Sequence, residues 1–182
     1  MPSIDKDFLQ LLHDDYSKYP YFIETGTYLG HTTLALEPYF EKVYTIECSA
    51  KYFELAKSKY QGNKISFILG DSSKVFHRLL PTIHQKCVFF LDGHYSSQDT
   101  GRCDKDVPLL EEISLIQKLF RHEAILIIDD YRLFGTRLDE DWTLIKKEEI
   151  INILKSRIHS IYHLDSIHAK DDRLVIHINA LS

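Results

Sequence analysis

The stretch "YFIETGTYLGHTT", Tyr21 to Thr33, changes character halfway along. Its first part, "YFIETG" (Tyr21 to Gly26), is a short apolar and aromatic run of strand length, and a glycine-marked polar turn separates it from a helical pattern near His31 to Phe40. A strand that feeds a turn and then a helix opens a βαβ unit. In that geometry backbone N–H groups of the turn face a ligand, and Gly26 and Gly30 allow it to come close.

The same alternation continues outward in both directions. An amphipathic segment, Ile4 to Tyr19, precedes the stretch and reads as a helix. After it come "VYTIE" (Val43 to Glu47), a helix near Ser49 to Tyr60, "ISFILG" (Ile65 to Gly70), a short helix after Asp71, and "CVFFLD" (Cys87 to Asp92). In "VPLLEEISLIQKLF", Leu109, Ile113, Ile116 and Phe120 fall at helical spacing, with Asp106 as N-cap before Pro108. "AILIIDD" (Ala124 to Asp130) has the unbroken apolar character of a strand covered on both faces.

A helix is expected from Trp142 to His159, followed by "SIYHLDSIH" and "RLVIHIN". Only "AKDD" separates these last two runs, too little for a parallel crossover, so they form an antiparallel hairpin. The expected fold is α/β: a Rossmann-like, seven-stranded, mostly parallel sheet with an antiparallel C-terminal hairpin and helices on both faces.

The 182 residues, 44% of them apolar, suit one domain spanning 1–182, and no Pro/Gly/Ser linker or repeat divides them. Acidic residues outnumber basic ones 27 to 22, and no Lys/Arg run marks a nucleic-acid face. Cys48, Cys87 and Cys103 are widely spaced and suggest neither a disulfide framework nor a zinc site. No segment has the apolar length of a membrane span and "MPSIDKDFLQ" is not a signal peptide, so a cytoplasmic location is expected.

Open α/β sheets bind ligands beyond the carboxyl ends of their strands. Glu24, Glu47, Asp71, Asp92 and the pair Asp129/Asp130 each end a different expected strand, which gathers carboxylates on one rim. Tyr28 stands where a GxGxxG loop has its middle glycine, which disfavours a pyrophosphate. An acid at the head of the loop suits a cationic ligand end instead. Glu47 lies at the spacing from which a carboxylate accepts both hydroxyls of a ribose, a feature that fits NAD and S-adenosylmethionine alike.

In the order of these motifs the chain resembles class I S-adenosylmethionine-dependent methyltransferases over nearly its whole length. "ETGTYLG" resembles their first motif, Glu47 their ribose-binding acid, and "GDSS" the third motif, with Asp71 and Ser72 facing adenine. The resemblance implies a cofactor site drawn from Glu24, Gly26, Thr27, Tyr28, Gly30, Thr32, Glu47, Cys48, Asp71, Ser72 and Asp92. "FLDGH" followed by "IIDDY" is similar to the metal-dependent, macrocin-type sugar O-methyltransferases, which implies a divalent cation, Mg2+ above all, on Asp92, Asp129 and Asp130.

Asp92 and His94 are the catalytic candidates, and the imidazole has a pKa suited to a general base near neutral pH. Tyr95 to Lys105 reads as a substrate-facing loop, and Tyr131, Arg132 and Arg137 are equally open to holding an anionic part of the acceptor or to solvation. The expected activity is metal-assisted methylation of a sugar or glycan hydroxyl, with a homodimer possible. The alternatives are a catechol-like small-molecule O-methyltransferase and a nucleotide-binding Rossmann-like protein without methyl transfer.

Overall fold

A computed structural model describes residues 1–94, 105–137 and 140–181. Seven strands form one sheet: β1 (Tyr21–Thr25), β2 (Lys42–Glu47), β3 (Ile65–Leu69), β4 (Cys87–Leu91), β5 (Ala124–Ile128), β6 (Ile158–Leu164) and β7 (Arg173–Ile178). Their spatial order is β3-β2-β1-β4-β5-β7-β6. The pairs β1/β2, β1/β4, β2/β3 and β4/β5 are parallel, whereas β7 runs antiparallel to both β5 and β6. The expected hairpin therefore exists, and its second strand is inserted next to β5 rather than added at the edge.

Helices α1 (Lys6–Leu9), α2 (His31–Leu36), α3 (Ala50–Ser58), α4 (Ser72–Leu79), α5 (Leu109–Leu119) and α6 (Lys147–Leu154) complete the layers. Strand side chains alternate between two cores, because successive residues of a strand point to opposite faces. Ile23, Ile46, Phe89, Leu126 and Ile176 meet Phe76 of α4, Ile113 and Ile116 of α5 and Ile150 of α6. Phe22, Val43, Phe90, Ile127 and Val175 meet Phe8 and Leu9 of α1, Leu36 of α2, and Ile4. Each of these large side chains contributes about 1.5–3 kcal/mol through removal from water.

The first and last helices are shorter than the apolar pattern suggests. Near the N-terminus, the Asp14 carboxylate accepts from the Tyr19 hydroxyl at 3.1 Å and lies 3.2 Å from His177 Nδ1, while Asp15 caps a separate turn at Tyr16–Lys18. These side-chain bonds compete with helix continuation. Before α6, Trp142 leaves the helical path and buries its indole beside the sheet rim. Pro108, not Asp106, is the residue immediately before α5. No helix among the described residues is long and apolar enough to cross a membrane.

Strand order reverses between β1 and β4, since β1 is followed outward by β2 and β4 by β5. That switch point opens a crevice at the carboxyl ends of the two strands. Both the glycine turn after β1 and the segment Asp92–His94 after β4 begin there.

Candidate functional site

Gly26 fixes how closely the two strand ends approach. It has φ +83°, and a Cβ built on it would lie 2.3 Å from the Asp92 carbonyl oxygen. Its N–H donates to Ile46 O at 2.9 Å, which ties the turn to β2. Gly30, also left-handed at φ +74°, precedes α2 and turns the chain into it.

Glu47 ends β2 with both carboxylate oxygens held by backbone. Tyr28 N–H donates to Oε2 and Ser49 N–H to Oε1, each at 2.8 Å. One lone pair on each oxygen remains for two further donors, which matches the paired hydroxyls of a ribose. Tyr28 is 44% exposed, takes φ +46°, and has its ring 4.6 Å from that of Tyr52. The exposed Tyr28 ring, backed by the buried Tyr52 and placed beside this carboxylate, suits a nucleoside. Asp71 accepts the N–H of Ser73 at 2.9 Å and its hydroxyl at 2.6 Å, so it also starts α4, next to the buried Ser72.

Other residues of the expected cofactor set face elsewhere. Glu24 is buried, and its Oε2 accepts the hydroxyls of Thr33 and, at 2.6 Å, Thr45. Burial raises its carboxyl to about 7 against the pull of those two donors. Thr27 Oγ1 lies 2.5 Å from Thr45 Oγ1, and Thr32 Oγ1 accepts the Ser3 N–H at 2.9 Å. Thr32 thus holds the N-terminal segment. Cys48 is disulfide-bonded, and Cys87 is a buried free thiol. Wide spacing in sequence did not announce a disulfide because the fold, not the spacing, brings thiols together.

At the end of β4, Asp92, His94 and Asp130 converge, each offering one ligand atom within 4.8 Å of the others. His94 Nδ1 is 3.5 Å from Asp92 Oδ1 and its Nε2 is 3.2 Å from Asp130 Oδ2. The Trp142 indole meets the imidazole edge-on at 5.0 Å and is itself stacked on Phe134. Burial, then the charges of Asp129, Asp130 and Glu24, hold the Asp92 carboxyl well above the usual carboxylate range.

Asp129 and Asp130 part company. Asp129 is buried against Arg173, whose Nε donates to Oδ1 at 3.2 Å, and it also accepts the Asp130 N–H at 3.1 Å. Burial raises the Asp129 carboxyl while the Arg173 charge opposes that rise. Arg173 further donates to Ser3 O and Asp165 O. Asp130 stands in the left-handed region at φ 58° and pairs through Oδ1 with Arg132. Arg132 also donates through the same Nη1 to Asp172 Oδ2 at 2.5 Å, so that guanidinium is tied into the fold. Arg137 is an exposed loop charge near Asp141, at 3.9 Å.

Glu112 of α5 was not singled out by the sequence. It is 1% exposed, its Oε1 has no hydrogen-bond partner, and burial pushes its carboxyl up to about 7 despite the nearby Ser72 and Thr25 hydroxyls. With Gly93, His94, Asp129 and Trp142 it lines a void of about 10 Å³. A Glu in the middle of a helical apolar face was the available signal. Arg173 had a comparable one, a lone cation leading a buried strand. The expected loop Tyr95 to Lys105 lies outside the described residues for all but its last position.

The donor sets fit the groups that the sequence implies: a diol-binding carboxylate beside an aromatic pair for S-adenosylmethionine, and oxygen and nitrogen ligands for a divalent cation. No family model and no curated protein matches the chain. Solved structures do match. The O-methyltransferase TomG from Streptomyces achromogenes, in complex with S-adenosylmethionine, is similar with a TM-score of 0.62 at 14% identity, covering 91% of this chain and 75% of TomG. The N-methyltransferase NodS from Bradyrhizobium japonicum, in complex with S-adenosylhomocysteine, gives 0.58 at 15% identity over 90% of this chain and 79% of NodS. An rRNA methylase from Streptococcus thermophilus gives 0.53 at 14% identity over 91% and 89%. The chain has the Rossmann-like fold of S-adenosylmethionine-dependent methyltransferases.

Proposed function

We propose that this chain is an S-adenosylmethionine-dependent O-methyltransferase that methylates a sugar or glycan hydroxyl with the help of a divalent cation. The carrying observation is that Glu47, braced by two backbone N–H groups at the end of β2, and the Asp92/His94/Asp130 cluster after β4 stand on the same rim with β1 between them. When bound, S-adenosylmethionine supplies an electrophilic methyl on a sulfonium, and a cation on the cluster polarises an acceptor oxygen and lowers its pKa. Everything else falls to the chain's own groups.

Glu47 accepts the ribose hydroxyls and the Tyr28/Tyr52 pair lies beside the nucleoside. The Gly26 turn carries the chain past the Asp92 carbonyl, so nucleoside and acceptor sites meet at one point. Asp92 and Asp130 would hold the cation, and the proton of the acceptor hydroxyl would pass to a carboxylate oxygen of Asp92. Alignment of an oxygen with the methyl makes the displacement effectively intramolecular.

Calorimetric titration tests the first half: S-adenosylhomocysteine binds and NAD does not. Incubating the protein with labelled methyl donor, divalent cation and a panel of sugars, glycans and catechols tests the second. A gain of one methyl mass on a sugar supports the proposed acceptor; methylation of catechol alone replaces it with a small phenolic diol. Binding of NAD in place of S-adenosylhomocysteine ends the methyltransferase reading.

A further inference from the structure

We propose that His94 is itself a ligand of the divalent cation, forming with Asp92 and Asp130 a two-carboxylate, one-imidazole set that favours a first-row transition ion over Mg2+. This rests on the cation-assisted reading of the site and specifies its metal.

The carboxylates of the cluster differ in what already holds them. Arg173 places a permanent positive charge 3.2 Å from Asp129 Oδ1, and the Asp130 N–H occupies the same oxygen. Asp129 is held by these two partners and, among the described residues, shares no candidate ligand set with His94. Arg132 similarly takes Oδ1 of Asp130 and leaves Oδ2 facing His94. Against Asp92 stands the His94 imidazole, and the Arg173 charge reaches it from farther off.

Spacing then selects the third ligand. Ligand atoms bonded at roughly 2.1 Å to a six-coordinate ion lie roughly 3 Å apart when adjacent and roughly 4.2 Å apart when opposite. Each ring nitrogen of His94 faces a different carboxylate, Nδ1 at 3.5 Å from Asp92 Oδ1 and Nε2 at 3.2 Å from Asp130 Oδ2, and a single ligand atom from each of the three residues falls within 4.8 Å of the others. Trp142, 3% exposed, fixes the orientation of the ring. The nitrogen that does not bind the ion retains a carboxylate as its hydrogen-bond partner, the arrangement that sets tautomer and orientation in metal-bound histidines.

A second observation points to a ligand here. The small void beside His94 is lined also by Glu112, whose buried Oε1 has no partner, and it has room for about one water molecule. A polar atom with no partner beside a ligand set is where a water of the outer shell would bind. Mg2+ prefers all-oxygen sites, whereas an imidazole ligand raises affinity toward later first-row ions. A nitrogen whose lone pair holds the cation cannot also accept the hydroxyl proton, so a ligating His94 is not the general base.

The test uses the whole chain stripped of metal by chelator, with Mn2+ as a paramagnetic probe and Mg2+ as competitor. Pulsed electron paramagnetic resonance should show nitrogen modulation from a directly bound imidazole. Protein grown with nitrogen-15 histidine should change that pattern, which identifies the residue type without substitution. In His94→Asp the modulation should disappear while Mn2+ still binds, and the preference for Mn2+ over Mg2+ should fall on the order of tenfold or more. Asp129→Asn should keep the modulation. Absence of Mn2+ binding, a bound ion without nitrogen modulation, or modulation unchanged in His94→Asp overturns the proposal. Binding of S-adenosylhomocysteine to the metal-free protein is read separately, so nitrogen coupling without nucleoside binding would retain the metal site and reject the methyltransferase.

Discussion

Glu112→Gln isolates the cost of a buried carboxylate. The wild-type side chain is fully enclosed, one of its oxygens has no partner, and its carboxyl titrates at about 7 in the fold against 4.5 for an ordinary glutamate. Between those two values the folded chain keeps a proton that the unfolded chain has released. Folding then binds protons, so stability falls as pH rises through this window and reaches its full loss above about 7. The gap corresponds to about 3 kcal/mol. Glutamine keeps the shape and has no charge to bury. Urea unfolding of both proteins between about pH 5 and pH 8.5 should give near-equal stabilities at the acid end and a variant more stable by about 2–3 kcal/mol at the alkaline end. Taking the difference at each pH cancels the similar behaviour of Glu24, which is common to both chains. A difference that stays flat, or that grows in favour of the wild type with rising pH, would refute the account of Glu112.

Other perturbations reach different parts of the site. Glu47→Gln removes the charge and leaves a single amide oxygen, so only one of the Tyr28 and Ser49 N–H groups keeps its acceptor; affinity for S-adenosylhomocysteine should fall by about 1.5–3 kcal/mol in a calorimetric titration, with the fold retained by circular dichroism. Arg173→Met strands Asp129 as an unpaired buried charge and should cost about 3–5 kcal/mol in denaturant unfolding, much of it recovered when Asp129→Asn is added. Gly26→Ala drives a methyl into the Asp92 carbonyl and should abolish nucleoside binding or folding; a variant with unchanged thermal midpoint and affinity would contradict the close approach. Phe22→Ala, remote from the site, should destabilise by about 3–5 kcal/mol with little change in affinity per folded molecule.

Much of this was legible along the chain. The apolar runs ending at Gly26, Glu47, Gly70, Asp92 and Asp130 matched β1 to β5 to within one or two residues, because run length and turn chemistry are local signals. The convergence of acids on one rim followed from strand direction alone. What stayed hidden was the partner of each acid. Glu24 and Asp92 both end strands, yet Glu24 turns inward to Thr33 and Thr45 while Asp92 meets His94.

Residue order, apolar period and the chemistry of strand ends were enough to set the layers of this protein and the rim on which ligands bind. Pairing was not, because it depends on contacts between residues distant in the chain. The insertion of β7 beside β5 pairs Ile128 with Leu174, which brings Arg173 to Asp129 across 44 positions of sequence. That single long-range register divides two adjacent aspartates: one is neutralised in the wall, and the other faces His94.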